Sequence, residues 1–188
     1  MQTLREKLKE LNYETEVEVR NSTKFAKEHF GAKPVIAIEI GVKTGGHAET
    51  ICSNLNVEKM YLIDPWIPYK QLYNGKELKY YAPPMAYELT KERFADFKNI
   101  TIMKGFSINV VRSIADNSID YIYVDGDHDY EAVKEDIKVW HSKLKKGGIM
   151  AGHDYGDKWI GVKKAVDEWE EKNKLDFTIS KDEWWYIK

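Results

Sequence analysis

The residues that could do chemistry gather where apolar runs end. The densest group is Tyr123-Val124-Asp125-Gly126-Asp127-His128-Asp129-Tyr130, in which three carboxylates and an imidazole crowd one strand-like terminus. Acids packed that closely repel one another unless a cation or a function compensates them. Asp127 or Asp129 is expected to cap the following helix, and capping leaves Asp125 and His128 unexplained. Gly152-His153-Asp154 closes another apolar run, and Asp125 could face His153 and Asp154 across a small gap. Two carboxylates and an imidazole make a half-shell for a divalent cation, the oxygens suiting Mg²⁺ or Mn²⁺ and the imidazole leaning toward transition metals.

Three other run ends suggest a nucleotide-like ligand. Glu39-Ile40-Gly41-Val42-Lys43-Thr44-Gly45-Gly46 leaves an apolar run and enters a helical stretch. Glycines at such a place let the backbone approach a ligand and supply free amides, although an ordinary strand-to-helix turn uses them too. A dinucleotide fingerprint needs glycine where Lys43 stands, which disfavours NAD, and no Gly-Lys-Ser/Thr phosphate loop is present. Asp64 ends Tyr61-Leu62-Ile63-Asp64 and could accept both hydroxyls of a ribose, while Gly105-Phe106-Ser107 offers a ring and a hydroxyl to flank a base.

The elements that must position these groups follow from the hydrophobic period. From Pro34 onward, strand-length runs (35–40, 59–63, 100–103, 119–124, 148–151) alternate with amphipathic helical stretches (48–55, 87–97, 108–114, 130–144, 162–172). Such alternation predicts an α/β fold, a doubly wound and mostly parallel sheet with helices on both faces. Phe177 to Ile179 and Trp184 to Ile187 stand only four residues apart, too close for a helical crossover, so they should form a C-terminal antiparallel hairpin and complete a seven-stranded Rossmann-like sheet. Ligands of such sheets bind outside the carboxyl ends of the strands, where the loops above lie.

Residues 1–33 read as a helical preface, with Leu4, Leu8 and Leu11 at helical spacing, and residues 34–188 as the catalytic domain. Pro65 to Pro84 reads as a long loop whose Trp66, Tyr69, Tyr73, Tyr80 and Tyr81 would cover an acceptor as a lid, or serve as a subunit contact. Trp140, Trp169, Trp184 and Trp185 fall in element bodies and are expected in the core.

The chain of 188 residues carries 29 basic and 31 acidic side chains, a balance that argues against nucleic-acid binding. Its one cysteine and the lack of a Cys/His array exclude a disulfide scaffold and a structural zinc site. No apolar window is long enough to span a membrane, and the charged start is unlike a signal peptide, so a soluble cytoplasmic protein, free or as a homo-oligomer, is expected.

Together these motifs resemble a class I S-adenosylmethionine-dependent methyltransferase. Within that class they are similar to the cation-dependent O-methyltransferases of catechol and caffeoyl-CoA type and to related antibiotic-sugar O-methyltransferases, over roughly Val35 to Trp169. The resemblance implies that Glu39, Gly41 and Gly45 hold the methionine end of the cofactor, that Asp64 takes the ribose, and that the region of Phe106 and Ser107 meets the adenine. It implies Asp125, His153 and Asp154 as metal ligands, with His153 and Asp154 where the family has an Asp-Asn pair. His128 stands where the family places a basic lysine, so His128 or Asp125 would take the proton of a small-molecule or sugar hydroxyl. Asp125 would also touch the cofactor. The competing expectations are a metal-independent methyltransferase, an NAD-dependent oxidoreductase and a non-catalytic nucleotide-binding protein.

Overall fold

Apolar residues alternate along the strands, and the alternation sorts them onto two faces of one sheet. The computed structural model describes residues 18–67, 69–73, 76–80 and 85–188, with Glu6 and Glu10, and gives the backbone alone within 69–80. Leu4, Leu8 and Leu11 of the preface lie outside the described residues. Two strands, β1 (Val35–Ile40) and β2 (Val57–Asp64), are followed by a separate short pair, β3 (Tyr69–Tyr73) and β4 (Lys76–Tyr80). The chain then returns to the main sheet through β5 (Ile100–Lys104), β6 (Ile119–Val124), β7 (Leu144–Gly152), β8 (Thr178–Ser180) and β9 (Glu183–Ile187). That sheet has seven strands in the order β5-β2-β1-β6-β7-β9-β8. The first five pair in parallel, and β9 runs antiparallel to both β7 and β8. The doubly wound sheet and its terminal hairpin are therefore as the hydrophobic period predicts.

Ala37, Tyr121, Tyr123, Ile149, Ala151 and Trp185 point to one face, against α1 (Asn21–Phe30), α2 (Gly46–Asn54) and α3 (Ala86–Arg93). A short α4 (Ser107–Val110) follows β5. Ile38, Ile122, Val124, Met150 and Trp184 point to the other face, against α5 (Tyr130–His141) and α6 (Ile160–Asn173). Trp140 and Trp184 are fully buried on this second face. Each ring removes roughly 150–250 Å² from water, so both anchor the core. Trp185 is buried on the first face, while Trp169 packs partly buried against the second. None of the described helices is long and apolar enough to cross a membrane.

The stretch between Asp64 and α3 is not the irregular loop its prolines suggest. It contains the antiparallel β3–β4 pair, in which Tyr69 faces Tyr80. Trp66 is no part of a lid. It is buried beside Tyr87, and its indole N–H donates to the Lys43 carbonyl at 2.7 Å. The side chains of Tyr69, Tyr73 and Tyr80, and all of Tyr81, lie outside the described residues.

Candidate active site

The strand order makes β1 and β6 the switch point, where connections leave in opposite directions and a crevice opens beyond the strand ends. Register aligns Glu39 with Tyr123 and Ile40 with Val124. Gly41 and Asp125 therefore leave the sheet side by side, and the Asp125 amide donates to the Ile40 carbonyl at 2.8 Å. Gly41 has a φ of 86°, and a Cβ there would stand 1.9 Å from the Asp125 carbonyl oxygen. No other residue fits, because both the left-handed backbone and the contact exclude a side chain. The crevice is a cavity of about 620 Å³ that all five strand-end loops line. That volume suits a small organic ligand.

At its floor, Glu39 and His47 form a buried pair with Oε1 and Nδ1 2.9 Å apart. Burial, reinforced by the Asp125 charge, pushes the Glu39 carboxyl well above the usual range. Burial, reinforced by Arg20, pushes His47 down to about 3. Desolvation thus favours the neutral form of both partners. Glu39 Oε2 and the Tyr123 hydroxyl are buried without hydrogen-bond partners.

Further along, Asp64 closes β2 with one oxygen on the loop of β1 and the other on its own loop. Oδ2 accepts the Lys43 amide at 2.8 Å and Oδ1 the Trp66 amide at 2.6 Å. Burial raises this carboxyl, and those amides pull it back. At the far end, Ser107 donates to Asp136, a carboxyl of α5 that also lines the cavity. Burial lifts Asp136 to about 7 despite that hydrogen bond. Gly45 does not reach the cavity. It makes the left-handed turn before α2, and a Cβ there would strike the Phe94 ring at 2.6 Å, so its role is to let the turn pack, and Gly46 takes its place in the lining.

The rim holds the acidic loops. Ligand atoms of Asp125, His128 and Asp154 all lie within 4.8 Å of one another. His128 Nε2 approaches Asp154 Oδ2 at 2.7 Å and Asp125 Oδ1 at 3.9 Å. Its ring stacks on Trp159 with centroids 4.3 Å apart. Burial opposes a charge on His128, but Asp125 and Asp154 outweigh it and raise the group to about 9. Asp154 loses some ionisation to burial yet is held well below the usual carboxylate range by His128 and His153. Its backbone is left-handed, with a φ of 59°, a conformation that aspartate tolerates better than most residues.

His153 stands beside the same two carboxylates, its Nδ1 3.8 Å from Asp125 Oδ1. Its Nδ1 lies 3.3 Å from Asp154 Oδ2, but Nε2 turns to Asp182 at 2.9 Å, and the ring does not line the main cavity. His128 Nε2 comes nearer to Asp154, and the two rings stand at similar distances from Asp125. Asp127 accepts the Asp129 amide at 3.0 Å, and Asp129 occupies the N-cap of α5 without a side-chain cap.

Arg20, His47 and Asp136 line the cavity beyond the residues assigned from sequence. His47 was legible only as a neighbour of Gly45. Asp136 carried a signal, since it is an acid beside Val133 and Ile137 on the apolar stripe of α5. Arg20 carried none.

A cavity at the switch point of a doubly wound sheet, with an acid ending the second strand, is where Rossmann-like folds bind their ligands. Residues 38–155 match the family model described as a methyltransferase domain, and the chain belongs to that family. Its fold is similar to that of a putative caffeoyl-CoA O-methyltransferase from Staphylococcus aureus (TM-score 0.68, 13% identity, 100% of this chain and 93% of that one). It is also similar to the O-methyltransferase NovP (TM-score 0.63, 16% identity, 89% and 78%). A third neighbour is a TDP-rhamnose 3'-O-methyltransferase of calicheamicin biosynthesis (TM-score 0.63, 17% identity, 88% and 77%). At these identities the likeness is one of fold. An uncharacterized protein of Acanthamoeba polyphaga mimivirus is 27% identical over 124 residues, 64% of this chain and 51% of that protein, so the chain spans about half the length of this curated relative.

Proposed function

We propose that the protein transfers a methyl group from S-adenosylmethionine to a hydroxyl oxygen of a small molecule or sugar, with a divalent cation held by Asp125, His128 and Asp154. What carries the proposal is the convergence on one cavity of Glu39, Asp64 and the Asp125–His128–Asp154 group in a chain of the methyltransferase-domain family. The residues fit the cofactor. Glu39 Oε2 is a buried oxygen without a partner where an ammonium would sit, and Asp64 retains acceptor capacity for a ribose. The O-methyltransferase neighbours support an oxygen acceptor, and the sugar acceptor named for one of them supports that class.

The sulfonium supplies an activated methyl group, so the protein contributes alignment and proton removal. A cation at the rim would orient the acceptor hydroxyl and lower its pKa. His128, held charged to about 9 by its acid neighbours, is no base at neutral pH, and a metal that displaced its proton would take the nitrogen that had held it. Asp125, which faces both His128 and the floor of the cavity, is the group left to take the proton of the acceptor. The metal-independent alternative has its own support, because the chain of contacts from His128 through Asp154 and His153 to Asp182 balances charge without an ion.

Calorimetric titration with S-adenosylmethionine and with NAD, each with and without Mg²⁺, tests the proposal. S-adenosylmethionine should bind, and Asp64→Ala should weaken it by about 100-fold or more, since two hydrogen bonds to a carboxylate are removed. Binding of NAD instead overturns the methyltransferase assignment. Methyl transfer and metal binding that survive Asp154→Ala would remove the proposed cation site and leave the rest.

A further inference from the structure

A guanidinium that lines a cavity and hydrogen-bonds to nothing needs an explanation. Among the described residues, Arg20 has no hydrogen-bond partner for any of its donors, and its Nε is buried and unsatisfied. Its closest acid is Asp125, whose Oδ2 lies 3.7 Å from a terminal guanidinium nitrogen, beyond hydrogen-bond reach. Its carbon sits 5.9 Å from the centre of the Tyr123 ring, which places it at the Glu39 end of the cavity, because Tyr123 and Glu39 are register partners. The side chain is 22% exposed, so water satisfies part of this cation and the rest is held ready.

The backbone that presents it is fixed. Arg20 is the N-cap of α1, and the amides of Asn21 and Ser22 donate to the two oxygens of Glu183 at 2.9 and 3.0 Å. The Ser22 hydroxyl adds a bond of 2.5 Å to the same buried carboxylate, and the Asn21 side chain donates to Ser180. The carboxylate at the start of β9 thus caps α1 and consumes its first amides, leaving the guanidinium as the donor that faces the cavity.

We propose that Arg20 binds the α-carboxylate of the methionyl end of the cofactor, a role that rests on the methyltransferase assignment above. The charges are complementary. A methionyl group carries an ammonium and a carboxylate side by side, and this end of the cavity offers Glu39 for the first and Arg20 for the second. A guanidinium grips a planar carboxylate through paired N–H donors, which a lysine cannot reproduce.

The test compares S-adenosylmethionine with its decarboxylated analogue, which lacks only that carboxylate. Calorimetry is run on the wild type, Arg20→Met and Arg20→Lys, with a thermal melt of each free protein as a folding control. The wild type should bind the analogue about 10- to 100-fold more weakly, and Arg20→Met should bind both ligands equally, at the level of the analogue on the wild type. Arg20→Lys should recover part of the difference. Equal losses for both ligands in Arg20→Met, or no loss for either, overturn the proposal. So does a wild type that binds both ligands alike, a result that stands even if Arg20→Met does not fold. A wild type that binds neither ligand overturns the methyltransferase assignment itself, and this role with it.

Discussion

Two carboxylate–imidazole pairs lie within the influence of Asp125, and the balance of burial and charge treats their protons in opposite ways. Glu39 and His47 stand 2.9 Å apart with side chains 2% and 7% exposed. His128 and Asp154 stand 2.7 Å apart at 15% and 19% exposure. Burial favours the neutral form of the first, with Glu39 raised and His47 lowered to about 3. The second is ionised, with His128 raised to about 9 and Asp154 lowered. Distance does not separate them, but desolvation does. At the floor, the Tyr123 ring lies 4.1 Å from that of His47, and neither charge finds water. Burying two opposite charges costs more than their attraction returns unless further hydrogen bonds support them. At the rim, a second imidazole from His153 supports Asp154 and water reaches the cluster, so the charges survive.

The difference is broken most strongly by removing one ring from each pair. His47→Ala should destabilise the free protein by about 2–4 kcal/mol, because it opens a cavity and strips a partner from buried Glu39 and from Thr23. His128→Ala should cost about 1 kcal/mol, since a partly solvated ion pair contributes little. Urea unfolding of the two variants measures both, and equal losses would mean that the two pairs are not differently solvated.

A smaller effect lies in the pH dependence of the chelator-treated protein, where the two imidazoles slope in opposite directions. His128 is raised above its ordinary 6.5, so its contribution is fully present below that value and fades as pH climbs through about 9. His47 is lowered, so the unfolded chain takes up a proton that the folded one refuses, and stability falls as pH drops from 6.5 toward 3. A tenfold difference in proton affinity between folded and unfolded chains corresponds to about 1.4 kcal/mol, and partial solvation at the rim reduces the alkaline loss to about 1–2 kcal/mol. Asp154→Asn should flatten the alkaline slope and leave the acid slope of His47 in place. Melting temperatures across pH 5 to 9 report the result.

These pairs also mark where the sequence stops being legible. Each of the seven strands followed from local periodicity, because alternation along a strand is set by which side chains meet a face. The loops holding Glu39, Asp64, Ser107 and Asp125 were legible for a related reason, since a parallel sheet brings its strand ends to one edge. The β3–β4 pair had a signal in Asn74-Gly75 between two alternating runs, a hairpin dipeptide masked by the flanking prolines. How the rings of His128 and His153 turn beside the carboxylates had none, because it depends on Trp159 and Asp182, contacts from other elements. Arg20 was invisible for the strongest reason. It is placed by Glu183, whose bond to the Asn21 amide spans 162 positions, and no local pattern encodes that contact.

The subtlest prediction concerns Glu39. A carboxyl raised by burial keeps its proton in the folded protein above the pH at which the unfolded chain releases it, so wild-type stability declines as pH rises beyond the ordinary 4.5. Glu39→Gln has the shape of the protonated acid, can still exchange a hydrogen bond with His47, and has no proton to lose. Near pH 7.5 the free variant should therefore be more stable than the wild type by about 1 kcal/mol, while its affinity for S-adenosylmethionine falls because a full negative charge can no longer form against the ammonium. A variant clearly less stable than the wild type would mean that Glu39 is ionised against a charged His47, and that the floor is a second ion pair after all. The trade would then vanish. A gain in stability with a loss in binding would instead show why the neutral pair exists: the site keeps an acid buried and uncharged until a cationic ligand arrives to ionise it.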